Sequence, residues 1–242
     1  MWDGRHTKER IVPRMYIISG PNGSGKTTAS YSILPELLDC SEFVNSDEFA
    51  KHLSPFAPEG AYVTASRLML KKVQYLFDRR EDFCIETTLA TRALIKITRK
   101  AQELGYYVTV LYLWLESPDL AVERVAARVK AGGHDVPEET IRRRYRMGIH
   151  YLFNSYMQTC DKWILADNSH PPFAIIAEGS KKGFAIRDME KYRKVKAVIS
   201  DSPVSEEHHF NPAEFLVKEL SKAPLAHDGV PYTENNNVND SE

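Results

Sequence analysis

One octapeptide constrains this chain more than anything else in it: Gly20-Pro21-Asn22-Gly23-Ser24-Gly25-Lys26-Thr27, set directly after the apolar run Met15 to Ser19 and before a helical pattern from Lys26 to Leu38. The string satisfies G-x-x-x-x-G-K-[ST] in the strand-loop-helix context its chemistry needs. Glycines let the backbone fold so tightly that successive N–H groups face phosphate oxygens. The positive end of the following helix and the mobile Lys26 ammonium add charge. Thr27 is placed to hold Mg²⁺ through its hydroxyl, with Thr28 next in the cradle. The pattern predicts a site for ATP with Mg²⁺, against the plainer reading of a Gly-rich turn that happens to fit.

Around this loop, short apolar runs alternate with longer helical patterns. The runs are Met15 to Ser19, Phe43 to Asn45, Phe83 to Ile85, Val108 to Leu115 and Trp163 to Leu165. Between them, Lys26 to Leu38, Gly60 to Arg80, Arg92 to Leu104, Pro118 to Ala131 and Pro137 to Met157 have helical length and period. Such alternation is the βαβ signature, so the expected fold is α/β: a doubly wound, mostly parallel sheet of P-loop NTPase type with a helical lid. Phe173 to Glu178 and Gly183 to Ile186 flank Gly179-Ser180-Lys181-Lys182-Gly183 and read as a small C-terminal hairpin, an add-on and not a second domain. The expected organisation is one P-loop domain over residues 1–200, core 14–170. A partly disordered tail over 201–242 follows, with one weak helix near Pro212 to Leu220.

The loop does not choose among GTPases, ATP-driven motors and kinases. No N-K-x-D guanine-reading string and no L-S-G-G-Q string occurs. What does occur is a set of charged residues at strand ends, where ligands gather in open α/β sheets. Asp47, one Ser beyond Phe43-Val44-Asn45, is the candidate base for an acceptor hydroxyl, and its other reading is a helix N-cap. Glu86, followed by Thr87-Thr88, sets a second carboxylate at the same edge for Mg²⁺ water or an acceptor hydroxyl, again with a cap as the alternative. Arg124 to Arg146 carries six arginines around Gly132-Gly133-His134-Asp135-Val136-Pro137, which reads as a lid able to bring guanidinium groups onto phosphates. In the helix after Pro137, Ile141, Tyr145, Ile149, Leu152 and Tyr156 form an apolar seam. Arg143 lies opposite it; Arg142, Arg144 and Arg146 flank it and are better placed to reach inward. Arg124 and Arg128 share one face of the preceding helix. His134 either contacts substrate or shapes the turn.

Taken together, GPNGSGKTT, VNSDEFAKHLSP, FCIETTLA, YLWLESPDLAVERVAARVKAGGHDVPEETIRRRY and ILADNS, spanning Met15 to about Ser169, resemble the zeta-toxin-like P-loop kinases. The resemblance implies Lys26 and Thr27 on phosphate and Mg²⁺, Asp47 as the base and Glu86 beside it. In the lid it singles out Arg128 and Arg144. It further implies a nucleotide-sugar acceptor, typically UDP-N-acetylglucosamine, phosphorylated on a sugar hydroxyl. The sequence departs from the toxins proper in its GGHDVP lid and in a shorter acceptor side.

Lys plus Arg number 32 against 33 for Asp plus Glu, so the chain has no bulk positive field to hold nucleic acid. A polynucleotide-end kinase would need stacking aromatics at the site, for which Tyr106, Tyr107, Tyr145 and Tyr151 are the candidates. A third reading is a module that holds ATP without using it, the toxin half of a pair with an antitoxin protein. The three cysteines fit neither a disulfide framework nor a zinc site, and no apolar run approaches membrane-spanning length. The expected setting is the cytoplasm, with a small-molecule phosphate acceptor as partner and no membrane.

Overall fold

The computed structural model describes residues 12–37, 40–45, 49, 53 and 62–200. Asp47, the weak helix near Pro212 to Leu220 and the 201–242 tail lie outside the described residues. Among the described residues, seven strands form one sheet in the order β2-β3-β1-β4-β5-β6-β7. They are β1 (Arg14–Ser19), β2 (Glu42–Val44), β3 (Phe83–Thr87), β4 (Tyr107–Trp114), β5 (Lys162–Asp167), β6 (Ala174–Ser180) and β7 (Gly183–Ile186). The first five run parallel, with Ile17 between Ile85 and Val110 and Val110 beside Trp163. Unbroken apolar runs such as Met15 to Ile18 suit strands covered on both faces.

The helices are α1 (Lys26–Leu37), α2 (Tyr62–Arg79), α3 (Ala93–Glu103), α4 (Pro118–Lys130), α5 (Glu138–Tyr151) and α6 (Met189–Ser200). From β1 the chain crosses to β2 on one side; every later parallel crossover runs the opposite way. Right-handed connections therefore place α1 on one face of the sheet and the later crossover helices on the other. The cores agree. Ala29 of α1 packs with Tyr16, Ile18, Cys84 and Leu113. The alternate residues Met15, Ile17, Phe83, Val110 and Trp114 share a larger core with apolar residues of α2, α3, α4, α5 and α6. The reversal of direction falls at β1, the switch point at which ligands bind in such sheets.

Helix starts follow local chemistry. Ser117 caps α4 by accepting from the Leu120 N–H at 3.0 Å, and Pro118 opens the helix. The seam Ile141, Tyr145, Ile149, Leu152 and Tyr156 is fully buried. Beyond α5 the helix continues through a π turn, Leu152–Tyr156, and a last turn, Met157–Thr159.

Two features differ from the sequence reading. The β6–β7 hairpin forms as expected, with Ser180 opposite Gly183, but β6 also pairs antiparallel with β5 and so extends the main sheet. After it comes α6, which the sequence reading did not anticipate. Asp188 accepts from the Lys191 N–H at 2.9 Å at its start, and Val195 is wholly buried while Tyr192 meets Phe153 at 5.7 Å between ring centroids. Among the aromatic candidates for base stacking, Tyr106, Tyr145 and Tyr151 are core residues and only Tyr107 is exposed. The three cysteines are buried thiols.

Candidate active site

The loop from Gly20 to Thr27 turns tightly at positions that only glycine accepts. Gly20 has φ of +145°, and a Cβ there would lie 2.3 Å from the Leu113 carbonyl oxygen; Gly25 has φ of +78°, and its Cβ would lie 2.9 Å from Asn168 Nδ2. Lys26 is 8% exposed, and its Nζ donates to the Pro21 carbonyl at 2.9 Å, which draws the ammonium back over the loop. Ser24 Oγ is buried with no hydrogen-bond partner among the described residues. A buried donor left over in a loop of backbone amides fits a cradle for an anion's oxygens. Pro21 and Asn22 are buried, Gly23 is half-buried, and Thr28 is exposed on the first turn of α1.

The end of β3 meets the loop through Thr27, whose Oγ1 donates to Glu86 Oε1 at 3.1 Å. A hydroxyl and a carboxylate side by side form the hard oxygen donor set that suits Mg²⁺. Beyond Glu86 the backbone is strained: Leu89 is buried with φ of +60°, and its N–H donates to Thr87 Oγ1 at 3.1 Å. A left-handed leucine is uncommon, and such residues cluster at binding sites.

The lid arginines divide into distinct roles. Arg144 reaches the loop, Nη1 lying 3.4 Å from Asn22 Oδ1. Arg142 turns instead to Asp119 and Glu138, at 2.6 and 2.8 Å. Arg143 is exposed as expected, but so is Arg146, which the seam had placed nearer the interior. Arg128 is exposed and donates to the His134 carbonyl at 2.7 Å, so these two residues close their own turn. The structure thus gathers Asn22, Lys26, Thr27, Glu86 and Arg144 at one place and leaves Arg128 and His134 at the Gly132-Gly133 turn.

The family model for Zeta toxin matches residues 2–161. The chain belongs to the zeta toxin family. An uncharacterized protein of Haemophilus influenzae is 30% identical over 126 residues, which span 52% of this chain and 88% of that protein. Among solved structures, the AvrRxo1-ORF1:AvrRxo1-ORF2 complex with sulphate ions is similar at a TM-score of 0.65 and 16% identity over 80% of this chain. The AvrRxo1-ORF1:-ORF2 structure with ATP gives 0.63 and 16% over 81%. In both cases the chain spans 66% of the neighbour's length. The PezAT chromosomal toxin-antitoxin system of Streptococcus pneumoniae gives 0.60 at 15% identity, covering 90% of this chain and 87% of that one. These likenesses are of fold.

One residue of this zeta toxin family member holds the loop from outside the motif, and a second braces the first. Asn168 Nδ2 donates to the Ser24 carbonyl at 2.7 Å. Arg124 donates from Nη1 to the Asn168 carbonyl at 2.9 Å and from Nη2 to that of Ser169. Arg124 was visible in sequence as a lid residue, but its spacing does not distinguish a phosphate contact from a bond to the backbone. Asn168 carried a weaker signal, its place in ILADNS at the end of the last parallel strand.

Proposed function

We propose that the chain is an ATP- and Mg²⁺-dependent kinase that transfers the γ-phosphate to a hydroxyl of a small-molecule acceptor, a nucleotide sugar of the UDP-N-acetylglucosamine class. The observation that carries the reading is the 3.1 Å contact between Thr27, on the phosphate loop, and Glu86, at the end of the neighbouring strand. It joins the triphosphate end of the site to the edge where an acceptor would lie.

In this reading the Gly20 to Thr28 backbone and the Lys26 ammonium bind and orient the phosphates. Asp47 takes the proton of the acceptor hydroxyl as its oxygen bonds the γ-phosphorus and the bond to ADP breaks. Glu86 and Thr87 line the acceptor side, and His134 would join them on closure of the Gly132-Gly133 turn over the site. Arg144, already at Asn22, supports charge on the transferring group, and Arg128 joins it from the lid turn. Thr27 would hold Mg²⁺, which when bound would supply charge neutralisation on the phosphate oxygens. The PezAT likeness is to a toxin-antitoxin system, which supports an antitoxin protein as partner.

The test is incubation with γ-labelled ATP, Mg²⁺ and a pool of nucleotide sugars. Label should appear on one sugar nucleotide, and Asp47→Asn should lower that rate by about 10²–10⁴-fold while ATP affinity stays within about twofold. Turnover of Asp47→Asn at the wild-type rate would show that another group is the base.

A further inference from the structure

β5 ends at Asp167, a residue only 6% exposed, and its carboxylate is fully engaged. Oδ1 accepts from the Ser169 N–H at 2.8 Å and from Ser169 Oγ at 2.5 Å. Oδ2 accepts from Lys191 Nζ at 2.7 Å. Ser169 Oγ in turn accepts from the Glu116 N–H at 2.8 Å, and the Asn168 N–H donates to the Trp114 carbonyl at 2.9 Å. The turn from Asp167 to Ser169 is therefore tied to β4 and, through Lys191, to α6. Its outward product is the Asn168 side chain, which grips the Ser24 carbonyl.

In a trans peptide the C=O and N–H point in opposite directions. Pinning the Ser24 carbonyl to Asn168 therefore aims the Gly25 N–H of the same peptide away from Asn168. The backbone that carries Lys191 is anchored at the start of α6. The Arg187 and Asp188 N–H groups both donate to the Ile176 carbonyl, at 2.8 and 3.1 Å, and Asp188 caps the first turn of α6. A buried carboxylate deprived of its countercharge protonates or rotates toward water, and either response loosens its grip on Ser169.

We infer that Lys191, on the C-terminal helix beyond the family match, is a positioning residue for nucleotide binding: through Asp167 it holds the turn whose Asn168 sets the phosphate loop. The inference rests on the ATP reading above. It assigns α6 a part in the site although none of its side chains belongs to the loop.

The test is titration of the full chain with a fluorescent ATP analogue and Mg²⁺. Asn168→Ala and Lys191→Met should each weaken binding by about tenfold, the scale of one lost hydrogen bond. Lys191→Arg should stay within about threefold of wild type. Because both changes act through one contact, the double variant should be no more than about threefold weaker than Asn168→Ala alone. The Michaelis constant for ATP should rise in step. Helix stability alone would lower the melting temperature without this coupling. If Lys191→Met does not fold by circular dichroism, Lys191→Gln carries the same expectation. Wild-type affinity in the folded Lys191 variant, or losses that multiply to about a hundredfold in the double variant, overturn the inference and leave the ATP reading standing. Failure of the wild-type chain to bind the analogue overturns both.

Discussion

Replacing Gly148 by alanine sets two physical effects against each other, and the structure says which wins. In an exposed helix the change should stabilise by about 1 kcal/mol, because alanine has the better helix propensity. Here the added Cβ would lie 2.7 Å from the Thr88 carbonyl oxygen and 2.8 Å from the Tyr112 hydroxyl, against 3.4 Å for ordinary contact. Neither neighbour can swing away, since one is backbone and the other sits on a fully buried ring. Overpacking of this kind costs about 1–3 kcal/mol, so the net expectation is a loss of about 1 kcal/mol. In a chain of this size that lowers the melting temperature by about 2–4 °C. Thr88 lies two residues past Glu86, so relief by moving the loop after β3 shifts the edge proposed to receive the acceptor. The rate with a bound acceptor should fall by about tenfold while ATP affinity stays within about twofold, as a misplacement of several tenths of an ångström entails. Thermal unfolding followed by circular dichroism, with ATP titration alongside, measures both. A melting temperature equal to or above that of wild type would refute the packing argument, because propensity would then have prevailed.

Two further outcomes follow from the site. Lys26→Ala should weaken ATP binding and lower turnover together, and unchanged affinity in a titration would remove Lys26 from the cradle. Burial pushes the Asp167 carboxyl upward, but hydrogen bonds from Lys191 and Ser169 outweigh it and hold the group below its ordinary range. A folded pKa below the unfolded one contributes stability above the ordinary carboxylate range, and that stability is lost as pH falls through it. Urea midpoints should therefore drop between about pH 5 and pH 3, and Asp167→Asn, though less stable at pH 7, should show a shallower drop; an equal drop in the variant would mean the carboxylate contributes nothing on the acid side.

Much of this was legible because it is local. The glycine loop, its strand and its helix are contiguous in sequence, and each parallel strand announces itself as a short apolar run. The apolar seam of α5 was equally readable, since helical period alone buries Ile141, Tyr145 and Ile149. The fate of individual arginines was not. Arg124 and Arg128 share a helix face, yet one bonds carbonyls after β5 and the other closes the His134 turn. The difference lies in what the fold brings opposite, which no spacing encodes. Helix α6 was missed for another reason. Its apolar residues Tyr192, Val195, Val198 and Ile199 do keep helical spacing, but they are interleaved with lysines and follow a hairpin that looked like the end of the fold.

The bond between Asn168 and Ser24 spans 144 positions of chain. The phosphate loop thus leaves a ribosome 144 positions ahead of its brace. A nascent chain ending before Asn168 carries the motif whole yet lacks the side chain that fixes its shape, and long-range closures of this kind form late. On this topology, the loop's final shape waits until synthesis has passed Asn168.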